Sequence, residues 1–329
     1  MLIEVRDASH AGEARRQAVA CAEEIGLNQS ERGAVAIVVT EMTTNVVKHA
    51  AQGSIVISKI GGSESTGMRV LALDKGSGIR NMSDALQDGH STVGSMGTGL
   101  GAIQRLAHNF EIYSAGSGTV AVSEFWHQGK VPKDNSILNC GTVTLPFTGE
   151  EVNGDGWGTR KFGNCVAFMV VDGLGHGHGA AEAAREAEHI LSEVQESTPT
   201  AILRDCHDAL KKTRGAAMSV AVLDTEKQLL HFAGVGNVAA AIVSPAGSRS
   251  LTAYNGTLGH QTYKIREFDY PWNSDSILVM HSDGLNTRWN LNDYPGIWNK
   301  QPALIAGLLY RDFVRGRDDV TVLVAKNRS

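Results

Sequence analysis

Small and apolar residues recur near helical spacing from Ala11 to Leu27, and a second run of the same period extends to about Ala50. In the second run Val35, Val38, Val39, Met42 and Val46 fall on one stripe, with Asn28 or Ser30 placed to cap it. The period then changes. Residues 54–60 and 68–73 are rich in β-branched and aliphatic side chains bounded by glycines, which predicts two strands joined by a hairpin at Gly61-Gly62-Ser63. A helix over about 102–109 and strands over 111–114 and 119–126 complete a predicted helix-on-sheet sandwich.

The polar stretch His127 to Asn135 carries Pro132 and repeats at neither period, so it is the expected linker. Beyond it, predicted strands over 137–146, 165–171, 217–224, 228–233, 238–244 and 276–281 alternate with helices near 179–195, 200–213 and 302–314. Long antiparallel strands with a few outer helices point to a β-sandwich flanked by helices. The expected fold class is α+β in two domains, 1–130 and 136–329, which suits a chain of 329 residues.

Composition narrows the function. The formal net charge is −5 and no Lys/Arg run forms a basic stripe, so no nucleic-acid partner is expected and proteins or nucleotides are. Cys21, Cys140, Cys165 and Cys206 lie far apart, with no Cys-x-x-Cys pair, which fits a reducing cytoplasm. The start, Met1-Leu2-Ile3-Glu4-Val5-Arg6-Asp7, is acidic where a signal peptide is apolar, and the longest apolar run, Cys165 to Val171, is too short to span a membrane. A soluble, cytoplasmic protein is expected.

Glu41, Asn45 and His49 are four apart, so each is turned by only about 40° and all share one helix face, away from much of the valine stripe. A carboxylate can orient a nucleophile and a carboxamide oxygen can ligate magnesium, although an exposed polar face has the same look. Asp74-Lys75-Gly76-Ser77-Gly78-Ile79 follows a predicted strand, where a carboxylate can accept from an adenine amino group and Gly76 and Gly78 permit close backbone approach. Gly97-Thr98-Gly99-Leu100-Gly101 precedes a predicted helix, and glycine amides there favour phosphate.

These boxes resemble those of the GHKL ATPase superfamily. More narrowly, Asp74, Asp88-Gly89-His90-Ser91-Thr92, Gly97 to Gly101, Arg105-Leu106 and Phe110 resemble the RsbT-type serine/threonine switch kinases, relatives of anti-sigma factors that act on STAS-domain proteins. The resemblance covers most of 1–127. It implies ATP as cofactor, Glu41 as catalytic base or water-orienting group, Asn45 as magnesium ligand, Asp74 as adenine reader, Gly97, Gly99 and Gly101 in the phosphate lid, and Thr119 assisting at adenine. No phospho-accepting histidine box is present, and His49 is expected to pack near its helix end.

In the second half Asp155, Asp172, Asp283 and Asp318 each fall at a strand edge or tight turn. Singly such aspartates read as turn caps. Gathered, their hard oxygens suit Mg²⁺ or Mn²⁺, and a two-metal centre supports in-line phosphoryl displacement. Asp172-Gly173-Leu174-Gly175-His176-Gly177, Ser282-Asp283-Gly284 and Arg317-Asp318-Asp319-Val320-Thr321-Val322 resemble the metal-dependent serine/threonine phosphatases (PPM family), in the branch of the sporulation stage II E protein and RsbX. That implies Asp155 and Asp172 bridging two metals, Asp283 and Asp318 on one metal, the Gly173 carbonyl as a further ligand, and Asp319 behind them orienting water. No arginine lies directly before Asp155, which leaves the phosphate-binding cation unassigned, with Arg160 and Lys161 nearby in sequence. His176, His178 and His207 have irregular spacing and do not read as zinc ligands. Gly234-Val235-Gly236-Asn237 reads as a tight hairpin.

The two resemblances together imply a bacterial partner-switching regulator. Its kinase domain would act on a STAS-domain protein, and a phosphatase would remove phosphoserine or phosphothreonine. A sigma factor or stressosome-like complex would be a further partner. The alternative is a phosphatase whose first domain only binds an anti-sigma-type partner in an ATP-dependent way. Retention of Glu41 favours the enzyme, since pure binding needs no base.

Overall fold

The structure, a computed structural model, describes residues 1–50, 52–62, 65–86, 99–132, 138–260 and 264–328. The chain divides into two compact units, Met1–Asn135 and Ser136–Ser329.

In the first unit β1 (Leu2–Val5) leads into α1 (His10–Glu24) and α2 (Gln29–Ala50). There follow β2 (Gly53–Gly62), β3 (Ser65–Asp74), the short α3 (Met82–Leu86), α4 (Gly99–Leu106), β4 (Asn109–Ala115) and β5 (Gly118–Trp126). The strands form one antiparallel sheet in the order β1-β2-β3-β5-β4. α1 stops at Glu24, earlier than the apolar period implies, because Gly26 takes φ 81° and Leu27 N turns back to Ala22 O at 2.9 Å. Asn28, and not Ser30, caps α2: its Oδ1 accepts from Glu31 N at 3.0 Å while Glu31 Oε2 accepts from Asn28 N at 2.8 Å. The valine stripe of α2 is buried with Ile55, Ile57, Met68, Val70 and Ala72 of the sheet. That packing fixes the rotation of α2 and leaves Glu41 and Asn45, on another face, partly accessible.

The expected linker contains a short 3₁₀ turn, His127–Gly129, with Gln128 at φ 54°. Residues 133–137 lie outside the described part.

The second unit contains β6 (Leu138–Leu145), β7 (Asp155–Phe162), β8 (Cys165–Gly173), α5 (His178–Glu193), α6 (Pro199–Leu210), β9 (Ala216–Asp224) and β10 (Leu229–Val235). After these come β11 (Ala239–Ser244), β12 (Gly247–Ser250), β13 (Phe268–Pro271), β14 (Ile277–His281), α7 (Pro302–Phe313) and β15 (Val320–Asn327). Two five-stranded antiparallel sheets result, ordered β13-β10-β9-β8-β7 and β12-β11-β14-β15-β6.

β8 explains its own unbroken apolar run. Ala167, Met169 and Val171 pack with Ala184, Ala187 and Cys206 of α5 and α6, while Phe168 and Val170 pack with Leu278, Met280 and Leu323 of the facing sheet. β7 was not foreseen from hydrophobic pattern because α5 lies almost on its backbone. Methyls built on Gly156 and Gly158 would each lie 2.6 Å from an atom of α5, Glu188 Oε1 and Leu191 Cδ2 respectively. Glycine replaces the β-branched residues that ordinarily mark a strand. Glu188 Oε1 also accepts from Trp157 N at 3.0 Å, holding this edge strand in place.

Candidate nucleotide and metal sites

Burial of the valine stripe turns Glu41 and Asn45 toward the start of α4. A methyl built on Gly99 would lie 3.0 Å from Glu41 Oε2 and 3.8 Å from Asn45 Oδ1. A carboxylate, a carboxamide and a helix N-terminus therefore converge, the chemistry that suits a cation held with phosphate. His49 is exposed at the end of α2 instead of packed, and it is its backbone carbonyl that lies against Gly76.

Asp74 ends β3, and its Oδ1 accepts from Gly76 N at 2.8 Å and Thr119 N at 3.2 Å. Thr119 Oγ1 is 2.9 Å from Ser114 Oγ, which accepts from Ile79 N at 2.7 Å. These bonds bring Asp74, Gly76, Gly78 and Thr119 into one corner. Gly78, at φ 72°, has Ala115 O only 2.0 Å from where a methyl would sit, so no other residue fits. Gly101 is buried inside α4 and so is not part of a loop. Gly97, with Asp88-Gly89-His90-Ser91-Thr92, lies outside the described residues.

In the second unit Asp155 opens β7 and Asp172 sits near the end of β8, and the two are register partners. Ser282 Oγ donates to Asp155 Oδ2 at 2.6 Å and accepts from Thr321 N at 2.9 Å, tying the end of β14 to β7 across the sandwich. The backbone amide of Asp283 bonds Asp172. Asp318 precedes β15, and a groove of about 460 Å³ is lined in part by Asp172, Gly175, Asn237, Asp283 and Asp318. Gly173 closes β8, where a methyl would lie 2.2 Å from Ala180 O, so glycine is required for α5 to pass behind it.

The charges in this cluster repel. Burial, then the neighbouring Asp172, raises the Asp155 carboxyl well above its ordinary value. Burial, then Asp283, Asp318 and Asp319, pushes Asp172 up to about 7. Among the described residues these aspartates make no ion pair with Lys or Arg. An all-oxygen set with no counter-charge fits a hard divalent cation. Its oxygens are spread wider than one ion needs. The one group of three ligand side chains with atoms within 4.8 Å of one another, among the described residues, is His231, Glu267 and Asp269, which includes none of them.

Comparison with known proteins divides the chain in the same way. The family model for a histidine kinase-like ATPase domain matches residues 5–123. The model for stage II sporulation protein E (SpoIIE) matches residues 163–328, half of the chain.

The chain belongs to the SpoIIE family.

Its first part is 30% identical over 106 residues to the serine/threonine-protein kinase RsbT of Bacillus subtilis (strain 168), which covers 32% of this chain and 80% of RsbT. Its second part is 26% identical over 155 residues to the phosphoserine phosphatase RsbX of the same organism, 47% of this chain and 78% of RsbX. Among solved structures, one from work on the bacterial stressosome, a modular system adapted to control secondary messenger signaling, aligns with TM-score 0.55 at 26% identity, covering 58% of this chain and all of that one. RsbX in complex with magnesium aligns with TM-score 0.51 at 23% identity, covering 60% of this chain and 98% of that one. The protein therefore joins a kinase-like, partner-switching type of ATPase domain to a phosphatase-type domain. No helix among the described residues is long and apolar enough to cross a membrane.

Within this SpoIIE-family domain the structure gives several further side chains their partners. Asp319 Oδ1 accepts from Phe147 N at 2.7 Å and Oδ2 from Gly154 N at 2.9 Å, so it holds the loop leading to Asp155. Arg160 Nη1 donates to Leu191 O at 2.9 Å and its guanidinium lies over Phe162, which takes it away from any phosphate role. His176 Nδ1 lies 2.7 Å from Glu150 Oε1 and His207 Nδ1 accepts from Gly259 N at 3.1 Å, so neither joins a zinc set. Asn237, read only as part of a hairpin, donates to Asp283 Oδ2 at 2.7 Å. Ser282 was visible in its motif, but its bond to Asp155 spans 127 residues and has no local signal.

The raised carboxyls carry a sign. Between the ordinary value of 3.8 and about 7 the folded chain keeps a proton on Asp172 that the unfolded chain has released, so metal-free stability falls as pH rises through that window. Divalent cations favour the ionised form and remove this penalty. The Tm gain from Mg²⁺ or Mn²⁺ is therefore expected to be larger at pH 8 than at pH 5.5, as calorimetric scans at matched free metal would read. An equal gain at both values would separate the cation from these carboxylates.

Proposed function

We propose that the protein is a cytoplasmic partner-switching regulator with two opposed activities. Its first domain phosphorylates a serine or threonine of a STAS-domain protein with ATP, and its second removes phosphate from a phosphoserine or phosphothreonine protein with Mg²⁺ or Mn²⁺. The observation that carries the phosphatase reading is the cluster of mutually repelling carboxylates at strand ends, with Asp155 buried and held by Ser282 and Asp172 largely buried beside it. The likeness to RsbX and to RsbT supports it.

In this reading Asp155, Asp172, Asp283, Asp318 and the Gly173 carbonyl would hold two divalent ions, which supply charge neutralisation at phosphorus and acidify water. Ser282 orients the Asp155 carboxylate by donating to one oxygen, and Asn237 does the same for Asp283. In the first domain Asn45 would ligate the magnesium of the nucleotide, Glu41 would orient the incoming hydroxyl, and Asp74 with Thr119 would meet adenine. Catalysis there rests on positioning and charge stabilisation more than on covalent chemistry.

Each half is expected to fold when expressed alone, 1–130 binding ATP and 136–329 hydrolysing phosphoproteins. Opposed activities in one chain would cycle ATP wastefully unless their substrates differ or nucleotide in the first domain controls the second. The test is the phosphatase rate of the full chain with and without a non-hydrolysable ATP analogue, beside that of 136–329, at matched free metal. A change with nucleotide in the full chain alone supports mutual control, and three equal rates favour separate substrates. Loss of all hydrolysis with a chelator is expected, and chelator-resistant hydrolysis would contradict the metal assignment.

A further inference from the structure

A second groove, of about 480 Å³, adjoins the candidate metal site and shares Asp283 and Asp318 with it. Its floor includes Phe313 and Val314, the latter one of the few large apolar side chains left exposed. Its backbone is fixed: Arg315 N donates to Gly284 O and Asn286 N to Phe313 O, each at 2.9 Å, and Leu285 bridges to Val314. The segment from Phe313 to Arg315 is thus stitched to the turn that carries Asp283.

The charges in this groove are lopsided. Asp312 is already matched, taking Arg311 Nε at 2.9 Å, Arg311 Nη2 at 2.8 Å and the Tyr294 hydroxyl at 2.8 Å. Arg315 and Arg317 are exposed, and neither guanidinium pairs with a described residue. Leaving out the two aspartates proposed to hold metal, the groove therefore offers two uncompensated cations beside an apolar floor. A chain whose net charge is −5 has placed them beside the cluster of Asp172, Asp283 and Asp318. Opposite charges beside a reacting centre chiefly set partner choice and encounter rate.

Resting on the phosphatase reading above, we propose that this groove holds the substrate protein beside its phosphorylated residue, with Arg315 and Arg317 selecting acidic flanking residues and Phe313 and Val314 receiving an apolar one. The occupant is an acidic, phosphorylated segment of a protein. Bidentate pairing of guanidinium with carboxylate supplies the selectivity, and the apolar floor supplies area that a small phosphate ester cannot reach.

The test uses the full chain and two fluorescein-labelled peptides bearing a non-hydrolysable phosphonate analogue of phosphoserine, identical except that aspartates flank the analogue in one and lysines in the other. Binding is read by anisotropy at low and high salt with Mn²⁺ present. The acid-flanked peptide is expected to bind about tenfold tighter or more, with the margin shrinking as salt rises. Arg315→Glu/Arg317→Glu should erase or reverse the preference, and Arg315→Gln/Arg317→Gln, which keeps length and polarity, should reduce it. The overall charge of the protein alone would favour the lysine peptide, so wild-type preference for lysine, no preference, or a preference that survives charge reversal would each overturn the proposal. Hydrolysis of p-nitrophenyl phosphate by the same wild-type sample reports on the phosphatase reading separately. Acid preference without hydrolysis upholds the groove and removes that reading, whereas hydrolysis without acid preference removes the groove alone.

Discussion

Asp172→Ala is expected to eliminate measurable hydrolysis of a phosphoserine protein and of p-nitrophenyl phosphate while ATP binding is unchanged. Asp172 is the residue on which the cluster converges: it pairs in register with Asp155, takes the Asp283 amide, and feels Asp283, Asp318 and Asp319. Loss of an outer partner in a metal site typically costs about 10–100-fold, and loss of a bridging ligand should exceed that. The substitution also removes a buried carboxyl that is costly to ionise, so the metal-free variant should be at least as stable as the wild type at pH 8. That second readout separates lost chemistry from lost folding. Turnover within tenfold of wild type at saturating Mn²⁺ would remove Asp172 from the metal set.

Asn45→Ala is expected to abolish phosphoryl transfer to a STAS-domain protein and to weaken binding of magnesium-ATP, with nucleotide affinity in the absence of magnesium much less affected. The carboxamide faces the start of α4 beside Glu41, and alanine leaves no oxygen there for a cation. Because Val46 and Met42 carry the packing of α2, removal of a half-buried polar neighbour should leave the fold intact. Calorimetric titration with and without magnesium reads the difference. An equal loss in both conditions would assign Asn45 to the nucleotide and not to its metal. Asp74→Asn should in addition blunt discrimination between ATP and GTP, and equal binding of both nucleotides by the wild type would refute the adenine-reading role.

The side chains proposed for the site could be picked out because they sit on or beside regular elements. The stripe from Val35 to Val46 fixes which face of α2 is buried, and so which face can present Glu41 and Asn45. The apolar run of β8 ends in Asp172 because a strand buried on both faces must stop where polar side chains begin. Asp283 and Asp318 sit where β14 ends and β15 begins, which local pattern also marks.

What escaped the sequence was set by contacts between distant segments. β7 has glycines where α5 presses on it, so no β-branched pattern announces the strand that carries Asp155. Asn237 and Ser282 gain their roles from Asp283 and Asp155, 46 and 127 residues away. Arg160 looks like a phosphate-site cation by proximity in sequence, yet the pleat of β7 sends it to the Leu191 carbonyl. Asp319 stands next to Asp318 in the turn before β15, yet it accepts the backbone amides of Phe147 and Gly154, 172 and 165 residues away, while Asp318 lines the groove.

The most direct measurement follows both proposed activities in one reaction. Full-length wild type and Asp172→Ala are incubated with γ-labelled ATP, Mg²⁺ and a serine- or threonine-bearing STAS-domain protein, ATP is then removed, Mn²⁺ is added, and label on the target is followed. The expected result is label that accumulates on the target and is retained with Asp172→Ala, whereas in the wild type it is lost if the two domains share that target and kept if their substrates differ. Absence of label with Asp172→Ala, where no phosphatase can erase it, would contradict kinase activity in the first domain and leave that domain a nucleotide-dependent binding module.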